Sequence, residues 1–269
     1  MNPSRKRKVH PVVAATAGGW PCLTLAGVLV LLPPSETKAI GGEGAPLDLD
    51  ALSFPELNPV RDKLVSALAD LAKDVPASLK ALDISERQVD EVHRNAALRT
   101  SETTPALLRY TGVLYDNLDF PSLKKVEKER AFRRLAVASA LFGVVRGGDP
   151  VPAYRLSGGS ALPSLGSLRT VWKPSLEPVL READEFVVDL RSGAYSSLAK
   201  VPHAVVVRVV TTEGKVVSHF NKAHKGLLAR AIATASAEPG DLKGLVKLAK
   251  KAGLTMVVTG EKTADLITG

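Results

Sequence analysis

Cysteine is almost missing from this sequence: Cys22 is the single one in 269 residues. An intramolecular disulfide is thereby excluded, and the composition points to a reducing compartment. The five histidines, His10, His93, His203, His219 and His224, form no HxH or HExxH pair. A zinc hydrolase is therefore not expected, and neither a metal nor a cofactor is assigned. Aromatic residues make up only 4% of the chain, too few for the stacking platforms that single-strand binders use. A GxxxxGK[ST] phosphate loop is absent. Long apolar runs are absent too. The stretch behind Arg5-Lys6-Arg7-Lys8 is broken by Gly18, Gly19, Pro21 and Pro33, has no small-x-small cleavage site, and falls short of the ~20 residues of a membrane span. It is read neither as a signal peptide nor as an anchor, and no membrane partner is expected.

What is present is the composition of a folded protein, 45% hydrophobic and 24% charged. The net charge is +8, but Arg5 to Lys8 supply four cations with no acid nearby; without them 32 cations face 28 acids. Residues 1–26 are read as a basic, disordered extension, and 27–269 as one domain. The run Val28 to Leu32 reads as a buried first strand ended by Pro33-Pro34. A polar loop follows from Ser35 to Leu57. Asn58-Pro59 opens a helix with Val60, Leu64, Leu68 and Leu71 on one face, and Ser85 with Gln88 fits a capping box for a second, through about Leu98. Thr104-Pro105 opens a third, through Tyr110. A charged helix over 120–134 leads into an apolar buried segment ending at Gly143, and 149–166 is loop. Val187 to Leu190, Ala204 to Val210 and Lys215 to Phe220 read as strands, the last two as a hairpin across Thr212-Glu213-Gly214. Helices are expected over Ala223 to Ala235 and Leu242 to Ala252, and a final strand over Met256 to Thr259. The fold class is mixed α/β in one compact domain, a mixed sheet flanked by helices.

Polar residues collect at predicted strand ends and in glycine-rich loops, where sites usually lie. Ser35 and Lys38 stand directly after the first strand, with Glu36 and Thr37 between them: an anion site or a solvated turn. Arg146 and Arg155 flank a Gly-Gly turn with Asp149 and Tyr154. Arginine suits phosphate or carboxylate recognition, although an Arg146–Asp149 ion pair stapling the loop is the plain alternative. Lys222, Lys225 and Arg230 cluster at the start of a helix, where cations oppose the dipole unless an anion compensates. The lysine stripe Lys243, Lys247, Lys250 and Lys251 is typical of a surface helix. Trp172, Tyr110, Tyr115, Tyr154 and Tyr195 are core aromatics or contacts.

Val28 to Lys38, Tyr110 to Tyr115, Leu141 to Arg146 with Asp149, Tyr154-Arg155-Leu156, Trp172, Tyr195 and Lys222 to Gly226 with Arg230 together resemble the YaaA family, also called the DUF328 or UPF0246 family of peroxide stress proteins. The resemblance implies a single α/β domain, a cytoplasmic bacterial protein and a part in the response to hydrogen peroxide. It implies protection against oxidative DNA damage by limiting free iron (iron homeostasis), and binding of double-stranded DNA through a positive cleft with a helix-hairpin-helix-like element. Carried over, Tyr115, Gly143, Arg146, Asp149, Tyr154, Arg155, Trp172, Tyr195, Lys222 and Arg230 line or support that cleft. Relatives read Ser-Pro-Ala-Lys-Thr after the first strand; here Glu36 takes the lysine's place and Lys38 follows two residues later. The helix-hairpin-helix turn usually has two glycines, and Tyr110 to Leu114 supplies one, Gly112. The alternative is an enzyme acting on a nucleotide, nucleobase or other small anionic ligand, with Arg146, Arg155 and Lys222 as clamps and Asp149 or Tyr154 as catalytic proton-transfer groups. Oligomeric state is not legible.

Overall fold

A run of valine and leucine without a polar interruption needs cover on both faces of a sheet, and Gly27–Leu32 (β1) has it, with Val28 to Leu32 all buried. The computed structural model describes residues 27–215 and 219–268. The extension 1–26, with Cys22 and the basic cluster, and residues 216–218 lie outside the described residues.

After β1 the chain crosses β2 (Gly44–Pro46) and two 3₁₀ turns to α1 (Asn58–Leu71), α2 (Val75–Leu82) and α3 (Val89–Ala96). The Ser85–Gln88 capping box forms on the 3₁₀ turn that leads into α3. Next come β3 (Glu102–Pro105), α4 (Ala106–Arg109), α5 (Val113–Leu118) and α6 (Lys125–Arg134). Gly112, at φ 96°, turns the chain between α4 and α5 in a conformation that favours glycine. The buried segment after α6 is β4 (Leu135–Ser139), which returns as β5 (Gly143–Arg146). The loop beyond holds the short strands β6 (Pro150–Val151), β7 (Ala161–Leu162) and β8 (Gly166–Ser167). Then follow α7 (Leu168–Arg181), β9 (Glu185–Asp189), α8 (Gly193–Ser196), β10 (Val205–Thr211), α9 (His219–Thr234), α10 (Leu242–Lys251), β11 (Thr255–Gly260) and β12 (Thr263–Thr268).

The main sheet has seven strands in the order β11-β12-β10-β9-β1-β4-β5. β12, β10, β9, β1 and β4 are parallel; β11 and β5 run antiparallel on the two edges. β1 pairs with β4 on one side, Val30 opposite Leu135, and with β9 on the other, Leu31 opposite Asp189. The fold is thus mixed α/β, as the pattern of elements implies. β4 is buried along its whole length, whereas β10 alternates and most of β11 is exposed, so cover thins toward that flank.

Several elements differ from the sequence reading: α2, α5 and β5 were not expected, Thr104-Pro105 ends strand β3 before α4 opens at Ala106, and three more differ for reasons visible in the packing. α7 was not expected, because Pro174 and Pro178 lie inside it. Both prolines are exposed, so the carbonyls they leave unbonded face water, while Leu168, Trp172, Leu176 and Leu180 repeat every fourth residue on the buried side. β12 was missed because Asp265 interrupts its apolar pattern. Arg208 on β10 takes that carboxylate in a two-pronged bond, 2.8 Å at each oxygen. The hairpin after β10 forms its turn, with Thr211 donating to the Lys215 carbonyl at 2.9 Å. The predicted return strand does not extend to Phe220, because His219 and Phe220 already belong to α9.

Candidate functional site

The chain leaves β1 toward β4 on one side and reaches β9 on the other, so the carboxyl end of β1 is a topological switch point, where open α/β sheets hold their ligands. Pro33-Pro34 ends the strand there, and Ser35 to Lys38 turn across the crest. Ser35 Oγ accepts from the Thr111 amide at 3.1 Å, and the Ala39 amide donates to the Arg109 carbonyl at 2.8 Å, pinning this turn to the α4–α5 corner.

Lys38 lies at its centre. Its Nζ donates to two backbone carbonyls, Ser35 at 3.2 Å and Glu36 at 3.4 Å, and stands 4.2 Å from the Tyr154 ring centre and 5.5 Å from that of Tyr110. Ring faces attract a cation but accept little hydrogen-bond density. Burial is the main influence on the ammonium and pulls its pKa down to about 8; Glu36 and Glu91 pull it up, Arg155 and Arg109 push it down. Beneath the lysine, Tyr110 and Tyr154 hydroxyls meet at 2.9 Å and Tyr154 meets Ser139 Oγ at 2.7 Å, with the Phe142 amide closing the row onto Ser139. Burial raises the pKa of both phenols, so both are neutral.

The rim is built from separate loops. Arg155 Nη1 lies 3.3 Å from Glu36, whose carboxylate also takes the Ser157 hydroxyl at 3.2 Å, while Arg155 Nε is buried with no hydrogen-bond partner. Tyr195 Oη accepts from the Gly158 amide at 3.1 Å, and Tyr115 Oη donates to the Pro33 carbonyl at 2.9 Å. At the end of β9, Asp189 holds Arg191 through both oxygens, at 2.9 and 2.8 Å. Lys225 on α9 is buried beside them, its Nζ reaching the Arg191 carbonyl at 3.5 Å. Burial lowers its pKa and Asp189 opposes that. Lys222, one turn earlier, is exposed. Among the described residues no group of three or more His, Cys, Asp or Glu side chains is placed to hold a metal ion.

The structure therefore gathers Ser35, Lys38, Tyr154 and Arg155 at the end of β1, with Tyr115 on Pro33, Tyr195 on Gly158, and Lys225 beside Arg191 at the end of β9. Arg146 and Asp149 stand at the other end of the sheet, because β5 runs antiparallel to β4. Arg146 pairs with Glu185 at 2.7 Å; Asp149 accepts from the Arg146 amide at 2.9 Å and holds Ser53 by amide and hydroxyl. The loop is stapled, but by the Arg146 backbone rather than its side chain. Trp172 is fully buried, donates to the Ala140 carbonyl at 2.8 Å, and packs where a Cβ on Gly143 would stand 2.8 Å from its ring. Arg230 closes the end of α5, donating to the Leu118 and Asp119 carbonyls and to Ser122 Oγ. Sequence reading passed over Asp189, Arg191 and Ser139. Their signal was a polar residue at the carboxyl end of each buried strand.

A family model described as peroxide stress protein YaaA matches residues 28–256. The chain is 47% identical over 239 residues to a UPF0246 protein of Corynebacterium efficiens, covering 86% of this chain and 95% of that protein. It is 43% identical over 235 residues to a UPF0246 protein of Streptomyces coelicolor, 84% and 90% of the two chains. A protein of Campylobacter jejuni is 29% identical over 206 residues, 74% and 82%.

Proposed function

This chain belongs to the peroxide stress protein YaaA family, and from that premise we propose that it acts in the cytoplasm as a DNA-binding stress protein, its basic crest seating duplex phosphates while free iron is kept low under peroxide. The observation that carries this reading is the surplus of positive charge at the switch point. Arg155 is balanced by Glu36 and Arg191 by Asp189, which among the described residues leaves Lys38 and Lys225 without a carboxylate partner in a hydrogen bond, and Lys222 is exposed one turn before Lys225. An anion is the natural complement of such a rim. Phosphate contacts of this kind confer affinity without base readout.

The test is duplex binding by the full chain across a salt series. Each cation that touches a phosphate contributes about 0.9 to the log–log salt slope. Lys222→Ala and Lys225→Ala are expected to lower the slope by about one unit each. A variant with Arg5, Lys6, Arg7 and Lys8 all changed to alanine reports what the extension contributes. Slopes that depend on the extension alone would overturn the reading.

One observation favours the second reading, an enzyme acting on a compact anionic molecule. Lys38 sits recessed between tyrosine rings, where a small ligand reaches it more readily than a duplex backbone does.

A further inference from the structure

We propose that Lys38 is a nucleophilic amine that condenses reversibly with a small aldehyde or ketone carrying an anionic group, the anion taking the place of the Glu36 carboxylate on Arg155. This goes beyond DNA binding and does not depend on it.

The geometry supplies each part. Lysines held for structure are usually neutralised by a carboxylate. Lys38 has instead two long carbonyl bonds and two ring faces around it, and among the described residues no carboxylate hydrogen-bonds it. Its lowered pKa, about 8, leaves an appreciable share of free amine near neutral pH. The groups acting on it from neighbouring elements are Glu36 and Arg155 on the rim, Glu91 on α3 and Arg109 on α4.

Arg155 supplies the selectivity. Its Nη1 meets Glu36 at 3.3 Å and its Nε is buried without a partner, so the fork is incompletely used. The Glu36 side chain is 49% exposed, and swinging outward costs it only the Arg155 contact and the Ser157 hydroxyl. A ligand carboxylate or phosphate entering in its place meets the guanidinium by two nitrogens and brings its carbonyl carbon to the neighbouring lysine. The Nζ lone pair attacks that carbon and the carbonyl π pair moves to oxygen. The proton lost from nitrogen goes to that oxygen, giving a carbinolamine. Departure of water then leaves the imine. No oxidant or reductant takes part.

The experiment traps the imine with cyanoborohydride in the full chain and maps the added mass by peptide. The probes are glyoxylate and glycolaldehyde phosphate, with acetaldehyde and glycolaldehyde as uncharged counterparts. Modification is expected at Lys38 at least tenfold faster than at any exposed lysine, and at least tenfold faster for the charged probes. The rate should rise with pH around a midpoint near 8. Lys38→Arg abolishes the adduct. Arg155→Met removes the preference for charge and slows all probes alike only as far as loss of a neighbouring cation raises the Lys38 pKa. Glu36→Gln accelerates trapping severalfold, because it removes both the competing carboxylate and a charge that favours the ammonium. The relative rates of the two charged probes tell carboxylate from phosphate. Uniform labelling of surface lysines, or an unchanged adduct in Lys38→Arg with its circular dichroism intact, overturns the proposal. Loss of DNA binding in the salt series leaves these outcomes unaffected, so the two readings fail separately.

Discussion

Two cations, Arg61 fully buried and Lys38 half-buried, show how differently a positive charge can be used. At the outer edge of β5, Arg61 is fully buried and spends its guanidinium on the Phe142, Val144 and Ser53 carbonyls and on Asn58, at 2.7 to 3.1 Å. It satisfies the carbonyls of an edge strand that no neighbouring strand pairs, and so closes that edge to another chain. Burial pulls its pKa down to about 10, against Asp149 and Glu56, which leaves it charged at neutral pH. At the crest, Lys38 makes two weaker contacts and keeps donor capacity in hand. The fraction of donors already satisfied is what separates framework from chemistry here.

The contrast can be broken at several points. Arg61→Ala should have the largest effect, about 3 kcal/mol or more of unfolding free energy in urea, because three carbonyls lose their donor inside the protein. Arg61→Lys should recover less than half of that, since an ammonium cannot reproduce the fork. Gly143→Ala comes next. Gly143 has φ 73°, and a Cβ there would stand 2.8 Å from the Trp172 ring, so a loss of about 2–3 kcal/mol is expected by the same titration.

Lys38→Met should behave in the opposite sense. The folded pKa of Lys38 is lowered from 10.5 to about 8, so below pH 8 both states hold the proton and the cost of the partly desolvated charge is fully present. Between pH 8 and 10.5 only the unfolded chain holds it, and stability of the parent rises. The parent is therefore expected to gain on Lys38→Met by on the order of 2 kcal/mol across that window, read from urea midpoints at successive pH values. A flat difference would show that the ammonium is as well solvated as any surface lysine. Lys73→Ala, which removes an exposed pair with Asp70, should change stability by no more than about 0.5 kcal/mol.

How far these roles were legible follows from the chemistry of each residue. Val28 to Leu32 announce a buried strand by composition alone, and the polar cluster behind them marks its carboxyl end. Ser35, Lys38, Arg155 and Tyr195 could thus be singled out from the chain. Their convergence could not, because it depends on β9 joining β1 on the side away from β4. Arg146 and Asp149 carry the same local signature as a site, a glycine turn between charges, yet the antiparallel return of β5 puts them at the far end of the sheet. Direction of a strand is invisible in a short apolar run. Arg61 gave no signal at all, being an ordinary arginine in the first turn of a helix.

The crossing of α5 and α9 has one more consequence. At Gly226 the Leu114 carbonyl and the Asn117 side chain occupy the space a Cβ would need, so α9 brings its backbone directly against α5. Tyr115 and Lys225 stand on the two sides of that joint, which fixes the interval between them as the jaws of a caliper are fixed by its screw. The spacing of these two side chains is thus ordered when the protein folds and needs no later adjustment.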